Sequence, residues 1–270
     1  MTERDPLLAE AATWYGDGRS PEAGDWRSRV VGHSLGDATD KAVERGRALI
    51  AAASRLIMRS GGADFSVQNV ATEAGVSLRI LYRHFTGRDD LLVALVEETN
   101  LVLARLVREH AKRFSDPLDR LGAALFFATD ARQHTDASYN AAMTRLILSV
   151  SVNAGEAVGR ARRPLIAAFA ALIRPLVDAK CIEPGDPEEL AGTITRCYLA
   201  FQNDRYLGSA VGGAPLAQER FIRFCIRGLG AETPPGWEER FRLSEEEIEI
   251  SRLKSAEISG VIRQPGCPIP

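Results

Sequence analysis

The sequence predicts an all-α protein, with a three-helix N-terminal domain built on a helix-turn-helix and a larger helical domain after it. Three observations predict this. Apolar residues recur at three- and four-residue spacing along most of the 270 residues. Serine or aspartate caps and glycine stops punctuate those stretches. No segment reads as a strand, as an internal repeat or as a low-complexity tract.

The first helix covers 41–60, with Leu49, Ile50, Ala53, Leu56 and Ile57 on one face and Ser60-Gly61-Gly62 as its stop. Ser66 precedes Val67, Val70, Ala71 and Ala74, one face of a short second helix, and its hydroxyl can accept from a free N–H of the first turn. Gly75 ends that helix because glycine reaches the left-handed conformation of a C-terminal cap. Val76 fills the corner. Ser77 caps a third helix whose inner side is Leu81 and Phe85, which leaves Leu78, Arg79, Tyr82 and Arg83 on the outer side. Arginine there can bond a guanine edge or a phosphate, and tyrosine can reach a phosphate. Thr86-Gly87-Arg88-Asp89-Asp90 turns into an acidic helix start, followed by Leu91, Leu92, Leu95 and Val96. Two helices around a glycine turn, the second capped and basic, form the layout that lays a recognition helix in the DNA major groove.

The helices continue beyond this unit. The fourth runs to about residue 114, with Leu95, Thr99, Val102, Leu106 and His110 near one stripe. Asp116-Pro117 starts a fifth, through Phe127 to 133, and 138–152 form a sixth around Met143, Leu146, Ile147 and Val150. Residues 156–179 are helical, with Pro164 and Pro175 expected to kink or interrupt them. Asp186 caps and Pro187 opens a helix to about 209, and another covers 215–229. After Pro234-Pro235-Gly236 comes a charged helix near 244–257 with a Ser244/Glu247 capping box, expected to pack only lightly on the body. The divisions are an acidic extension (1–40, with a short helix around 5–15), the helix-turn-helix domain (41–90), the second helical domain (91–230) and a tail (231–270).

Net charge is only −2, but its distribution is uneven. Residues 41–90 hold eight basic and five acidic residues, an excess of +3 that suits phosphate binding. Residues 1–40 hold four basic and eight acidic residues, so they suit a minor-groove arm poorly. Cys181, Cys197, Cys225 and Cys267 form no C-x-x-C and have no histidine cluster, so free thiols are expected and no metal site. His110 and His134 read as ordinary histidines. No apolar run is long enough to span a membrane and the N-terminus lacks a signal-like core, so the expected compartment is the cytoplasm.

The stretch from Phe65-Ser66-Val67 through Ala74-Gly75-Val76-Ser77, then Leu81-Tyr82-Arg83-His84-Phe85, then Gly87-Arg88-Asp89-Asp90-Leu91-Leu92, resembles the DNA-binding domain of the tetracycline-repressor (TetR) family. The likeness covers about residues 41–100. Two positions depart from it: Ile80 stands where the family usually has Thr or Ser, and Arg88 stands where Lys is usual. The resemblance implies a homodimeric transcription regulator, a repressor that leaves a palindromic double-stranded DNA operator when a small-molecule ligand of unknown identity binds the second domain, which serves ligand binding and dimerisation. It implies no catalytic residue, no cofactor and no membrane partner. The expected DNA contacts are Lys41, Arg45, Arg47, Ser66, Gln68, Ser77, Leu78, Arg79, Tyr82, Arg83, His84 and Arg88. Candidate pocket residues are Phe126, Phe127, Met143, Arg145, Phe169, Tyr198 and Phe201, with Asn203 or Asp204 able to orient a polar group, although burial statistics favour a plain core for the apolar ones. The last helix would offer Phe221, Ile222, Phe224, Cys225 and Leu229 to a partner copy.

Two other readings compete. Gly32-His33-Ser34-Leu35-Gly36 matches the G-x-S-x-G nucleophile elbow of serine hydrolases, yet an elbow needs parallel strands laid down before it, and only 29 residues precede Val30. The helix-turn-helix could also serve an adaptor that binds a protein partner.

Overall fold

A computed structural model describes residues 26–27, 37–61, 65–130, 137–207 and 217–250. Among them are nine α-helices: α1 (Asp37–Ser60), α2 (Val67–Glu73), α3 (Leu78–His84), α4 (Arg88–Ala111), α5 (Pro117–Thr129), α6 (Ala137–Ala161), α7 (Arg163–Asp178), α8 (Pro187–Leu207) and α9 (Gln218–Gly228). A 3-10 turn, Trp237–Phe241, and a helical turn over 245–250 follow, and no strand occurs among the described residues. The expected helix at 5–15, the hydrolase-like Gly32–Gly36 motif, His134 and Cys267 lie outside them.

The helices gather around two cores. The first takes Leu49, Ile50, Ala53, Leu56 and Ile57 of α1, Val70 and Ala71 of α2, Leu81 and Phe85 at α3, and Leu91 to Val96 of α4. The second takes the rest of α4 from Val102 onward, with α5, α7, α8 and α9. α4 is therefore common to both, and it is buried on nearly every side in its first three turns rather than along one stripe. Thr99, expected on that stripe, instead faces outward and donates its hydroxyl to Leu95 O at 2.8 Å.

Several boundaries differ from the sequence expectation. α6 does not stop at 152; it runs on to Ala161 across a kink at Ala154. The break falls at Arg162, and Pro164 sits in the first turn of α7, where a missing N–H costs nothing. Pro175 is accommodated in the last turn of α7. α6 also serves the first core, through Ala142, Met143, Leu146 and Val150. A hydrogen bond of 3.0 Å between Ser54 and Tyr139 ties it to α1.

The segment before the charged helix is firmly packed, with Trp237, Phe241 and Leu243 buried in the second core, while the described part of the helix itself touches that core through Ile248. Gly122 of α5 makes room for the two aromatic rings, since a Cβ there would lie 2.2 Å from the Trp237 ring and 2.7 Å from that of Phe241. The Trp237 indole N–H donates to Asp119 at 2.7 Å, and Arg223 of α9 grips Glu238 through two bonds of 2.8 and 3.0 Å. Burial works against the Glu238 charge, but the Arg223 guanidinium outweighs it and holds the carboxyl below the usual carboxylate range. The expected Ser244/Glu247 capping box is present, with bonds of 2.8 and 3.2 Å in the two directions.

Candidate nucleic-acid interface

α2 and α3 owe their mutual angle to local chemistry. Ser66 Oγ accepts from the Asn69 N–H at 3.1 Å and starts α2. Gly75 then adopts φ +67°, the left-handed region. This lets its own N–H reach Thr72 O at 3.1 Å and the Val76 N–H reach Ala71 O at 3.0 Å, the paired bonds that close a helix on a glycine. Nothing lies within 4 Å of a Cβ built on Gly75, so the requirement is conformational, not steric. Ser77 Oγ accepts from the Ile80 N–H at 3.4 Å and starts α3.

Leu81 and Phe85 then turn inward and are fully covered. Arg79, Arg83 and Tyr82 face solvent, and the Tyr82 side is 53% exposed despite its apolar ring. Leu78 was expected on the same outer face; it is half-buried against the first core, which removes most of its surface from any contact with DNA. His84 is half-buried too, and its Nδ1–H donates to Ile80 O at 2.8 Å, backing the ring onto its own helix.

The +3 charge excess is distributed by ion pairs. Glu73, at the end of α2, accepts from Arg59 at 2.6 Å and Arg55 at 3.0 Å, which pins α2 to α1. These two bonds hold the Glu73 carboxyl below the usual range. Arg88 lies over the Phe65 ring at 5.5 Å and 3.4 Å from Asp89, so it braces the start of α4. Lys41, Arg45, Arg47, Arg79 and Arg83 are exposed and make no ion pair with another described residue. Ser66 is half-buried, while Gln68 and Ser77 are exposed; both serines are occupied as caps. The arrangement presents two unpaired arginines and a phenol on one exposed helix side, which suits phosphate and base-edge contacts.

One part of this unit was missed at the sequence level. Trp26 is completely buried, with its ring 6.4 Å from that of Phe85. Its N–H donates to Glu97 and its indole N–H to Glu98, each at 3.1 Å, while Arg27 reaches the same Glu98 oxygen at 2.6 Å. The 26–27 pair of the acidic extension thus belongs to the first core. A lone glycine, Gly46, inside an otherwise strong helix was the available signal, since such a glycine usually marks a close approach.

The second domain corrects two expectations. Phe126, Phe127, Phe169, Tyr198 and Phe201 do gather in its core, but Met143 faces the first core and Arg145 is exposed, because α6 turns that face away from α5 and α7. Asn203 and Asp204 are half-buried. Phe221, Ile222, Cys225 and Leu229 are buried within their own chain, so they cannot form a contact with a partner copy. Phe221 stacks on Phe201 at 4.5 Å. Only Phe224, on the opposite side of α9 and 63% exposed, remains available.

Residues 49–95, from the middle of α1 into α4, match the family model described as bacterial regulatory proteins, tetR family. The chain's helix-turn-helix domain is of the TetR type. The HTH-type transcriptional regulator BetI of Brucella melitensis is 35% identical over 98 residues, which is 35% of this chain and 50% of that protein. An HTH-type transcriptional regulator of Haemophilus influenzae is 34% identical over 85 residues, 31% of this chain and 40% of that protein. The chain spans about half the length of these curated relatives, and the likeness to the family model falls on the DNA-binding end. Among solved structures, FadR of Thermus thermophilus, a TetR-family repressor in complex with lauroyl-CoA, aligns over 71% of this chain and 97% of its own at 18% identity and TM-score 0.54. FadR of Bacillus halodurans, a fatty acid degradation regulator, aligns over 74% and 100% at 14% identity and TM-score 0.51. The two-domain TetR fold thus extends through the second domain. None of these comparisons points to a hydrolase.

Proposed function

We propose that this chain is a ligand-responsive, homodimeric repressor that reads a palindromic operator through α3. The observation that carries the reading is the exposed, unpaired Arg79–Tyr82–Arg83 side of a capped helix within a TetR-family domain. A dimer fits because two recognition helices about 34 Å apart meet successive major grooves on one side of the duplex. The pairing surface would be the outer side of α9 with Phe224, since the inner side is already occupied.

α4 supplies the route from ligand to DNA. Its N-terminal half packs with α1 and α3 and its C-terminal half with α5 and α7, so a shift in the second core moves it relative to the first. The Ser54–Tyr139 bond gives α6 a second hold on α1. A ligand releases DNA only if it binds the DNA-incompetent arrangement more tightly than the competent one. The second core, with Phe126, Phe127, Phe169, Tyr198 and Phe201, offers an apolar site with the Tyr198 hydroxyl, bonded to Gln202 at 3.2 Å, as a polar feature. The fatty acyl thioester in the Thermus FadR complex makes long-chain acyl compounds a sensible first set of probes.

The experiment is selection of bound duplexes from a random DNA pool, followed by displacement with a panel of apolar and acyl-thioester metabolites. Recovery of an inverted repeat, released by one class of compound, is the expected result. A pool that returns no common sequence would contradict the reading.

A further inference from the structure

We propose that Trp26 is a positioning residue that sets the angle between the recognition helix and α4, and with it the spacing of paired recognition helices. The inference rests on the DNA-binding dimer proposed above. The Trp26 side chain touches α1, the end of α3 and α4. The Trp26 ring lies against α1 so closely that a Cβ on Gly46 would be 2.4 Å from its Cζ3. It meets Phe85, the residue that ends α3, at 6.4 Å between ring centroids. Its two N–H groups and the neighbouring guanidinium are spent on α4.

The α4 contact constrains rotation as well as distance. Glu97 and Glu98 are adjacent, so their side chains leave the helix axis about 100° apart. Trp26 N–H holds the first, and the indole N–H with Arg27 holds the second. A helix gripped on two sides near its midpoint cannot roll without breaking one set of bonds. Both carboxylates are buried, so losing these donors costs more than losing the same bonds at a surface. Arg27 also lies 4.8 Å over the Trp26 ring, which keeps ring and guanidinium together on the grip.

Local caps already fix the angle between α2 and α3. At the short Phe85-Thr86-Gly87 link between α3 and α4 the local tie is the pair of bonds from the Thr86 N–H and hydroxyl to Asp90, at 2.9 and 3.3 Å, which stays within the first turn of α4. Trp26 spans that junction from outside. The acidic extension, poorly suited to a minor groove by its charge, thereby has an assigned role at Trp26.

Two measurements on the full chain test this. The first is a thermal-unfolding cycle of Gly46→Ala in the native and Trp26→Ala backgrounds. Alanine is the better helix former, so it should raise Tm where the indole is gone and lower it where the indole is seated. A rise in both backgrounds would overturn the seat. The second is binding to duplexes carrying the selected half-sites at spacings varied by one base pair. The native chain should favour one spacing, and Trp26→Ala should lose roughly three- to thirtyfold at that spacing while flattening the preference. Trp26→Phe, which keeps the ring but not the indole N–H, should fold and fall between the two. A Trp26→Ala chain that weakens equally at every spacing, or not at all, would overturn the positioning role. A native chain that binds no duplex at any spacing would overturn the DNA-binding reading itself, and the inference with it.

Discussion

Ser54 of α1 and Tyr139 of α6 share a hydrogen bond of 3.0 Å beside the first core. Burial pushes the Tyr139 phenol above its ordinary value, so it stays protonated and able to donate. Tyr139→Phe should lower stability by about 1 kcal/mol, and Ser54→Ala should add little once the phenol is gone. A urea-denaturation double-mutant cycle measures this. Full additivity of the two changes would mean that the bond contributes nothing.

Gly75 at φ +67° makes a second prediction. A residue with a Cβ pays about 1–2 kcal/mol in that conformation. Gly75→Ala should therefore destabilise the first core by that amount, and Gly75→Asn by less, because asparagine visits the left-handed region more readily. Chemical denaturation of the three chains gives the order.

The tail should matter as much as any helix of the second core. Trp237→Ala removes a buried indole and leaves Asp119 with its Arg240 partner, at a cost of about 3–5 kcal/mol. Gly122→Ala should cost about 1–3 kcal/mol by driving a methyl into Trp237 and Phe241. A chain ending at residue 230 should lose cooperative thermal unfolding. Retention of the native Tm in that truncation would contradict the packing described.

His110 predicts a pH dependence. Burial between Phe114 and Phe127, together with the Arg113 charge, pushes its pKa down from 6.5 to about 4, against a smaller upward pull from Glu247 and from the Phe241 backbone. The unfolded chain then binds a proton between about pH 6.5 and 4 that the folded chain refuses, so stability falls as pH drops through that window. Glu73 and Glu238 act lower: their carboxyls are held below 4.5, so the stability they contribute is present above that value and is lost as pH falls through their folded pKa values. His110→Gln should flatten the Tm profile between pH 4.5 and 6.5 and leave the loss below it.

The recognition unit was legible in the sequence because its determinants are local. Ser66, Gly75 and Ser77 act within four residues of themselves, and Leu81 and Phe85 follow from helical period alone. What covers an apolar face is not local. Of the five α9 residues expected on one apolar face, those at 221, 222, 225 and 229 share it and Phe224 does not, and period cannot say whether a partner copy or α5 covers such a face. Met143 and Arg145 fail for the same reason, since the packing of α6 sets Met143 against the first core and leaves Arg145 exposed. Trp26 is the extreme case: its partners lie 71 and 72 positions away, and only Gly46 hinted at them.

The central claim, that the exposed side of α3 reads DNA, is tested most directly by fluorescence anisotropy on the selected duplex at several fixed salt concentrations. Native chain, Arg79→Ala and Arg83→Ala are compared. Each arginine that reads a base should cost about 1–3 kcal/mol and relax sequence preference at one position, and each that meets a phosphate should weaken binding to all sequences and reduce the salt slope by about one. Unchanged affinity and unchanged salt dependence in both variants would contradict it.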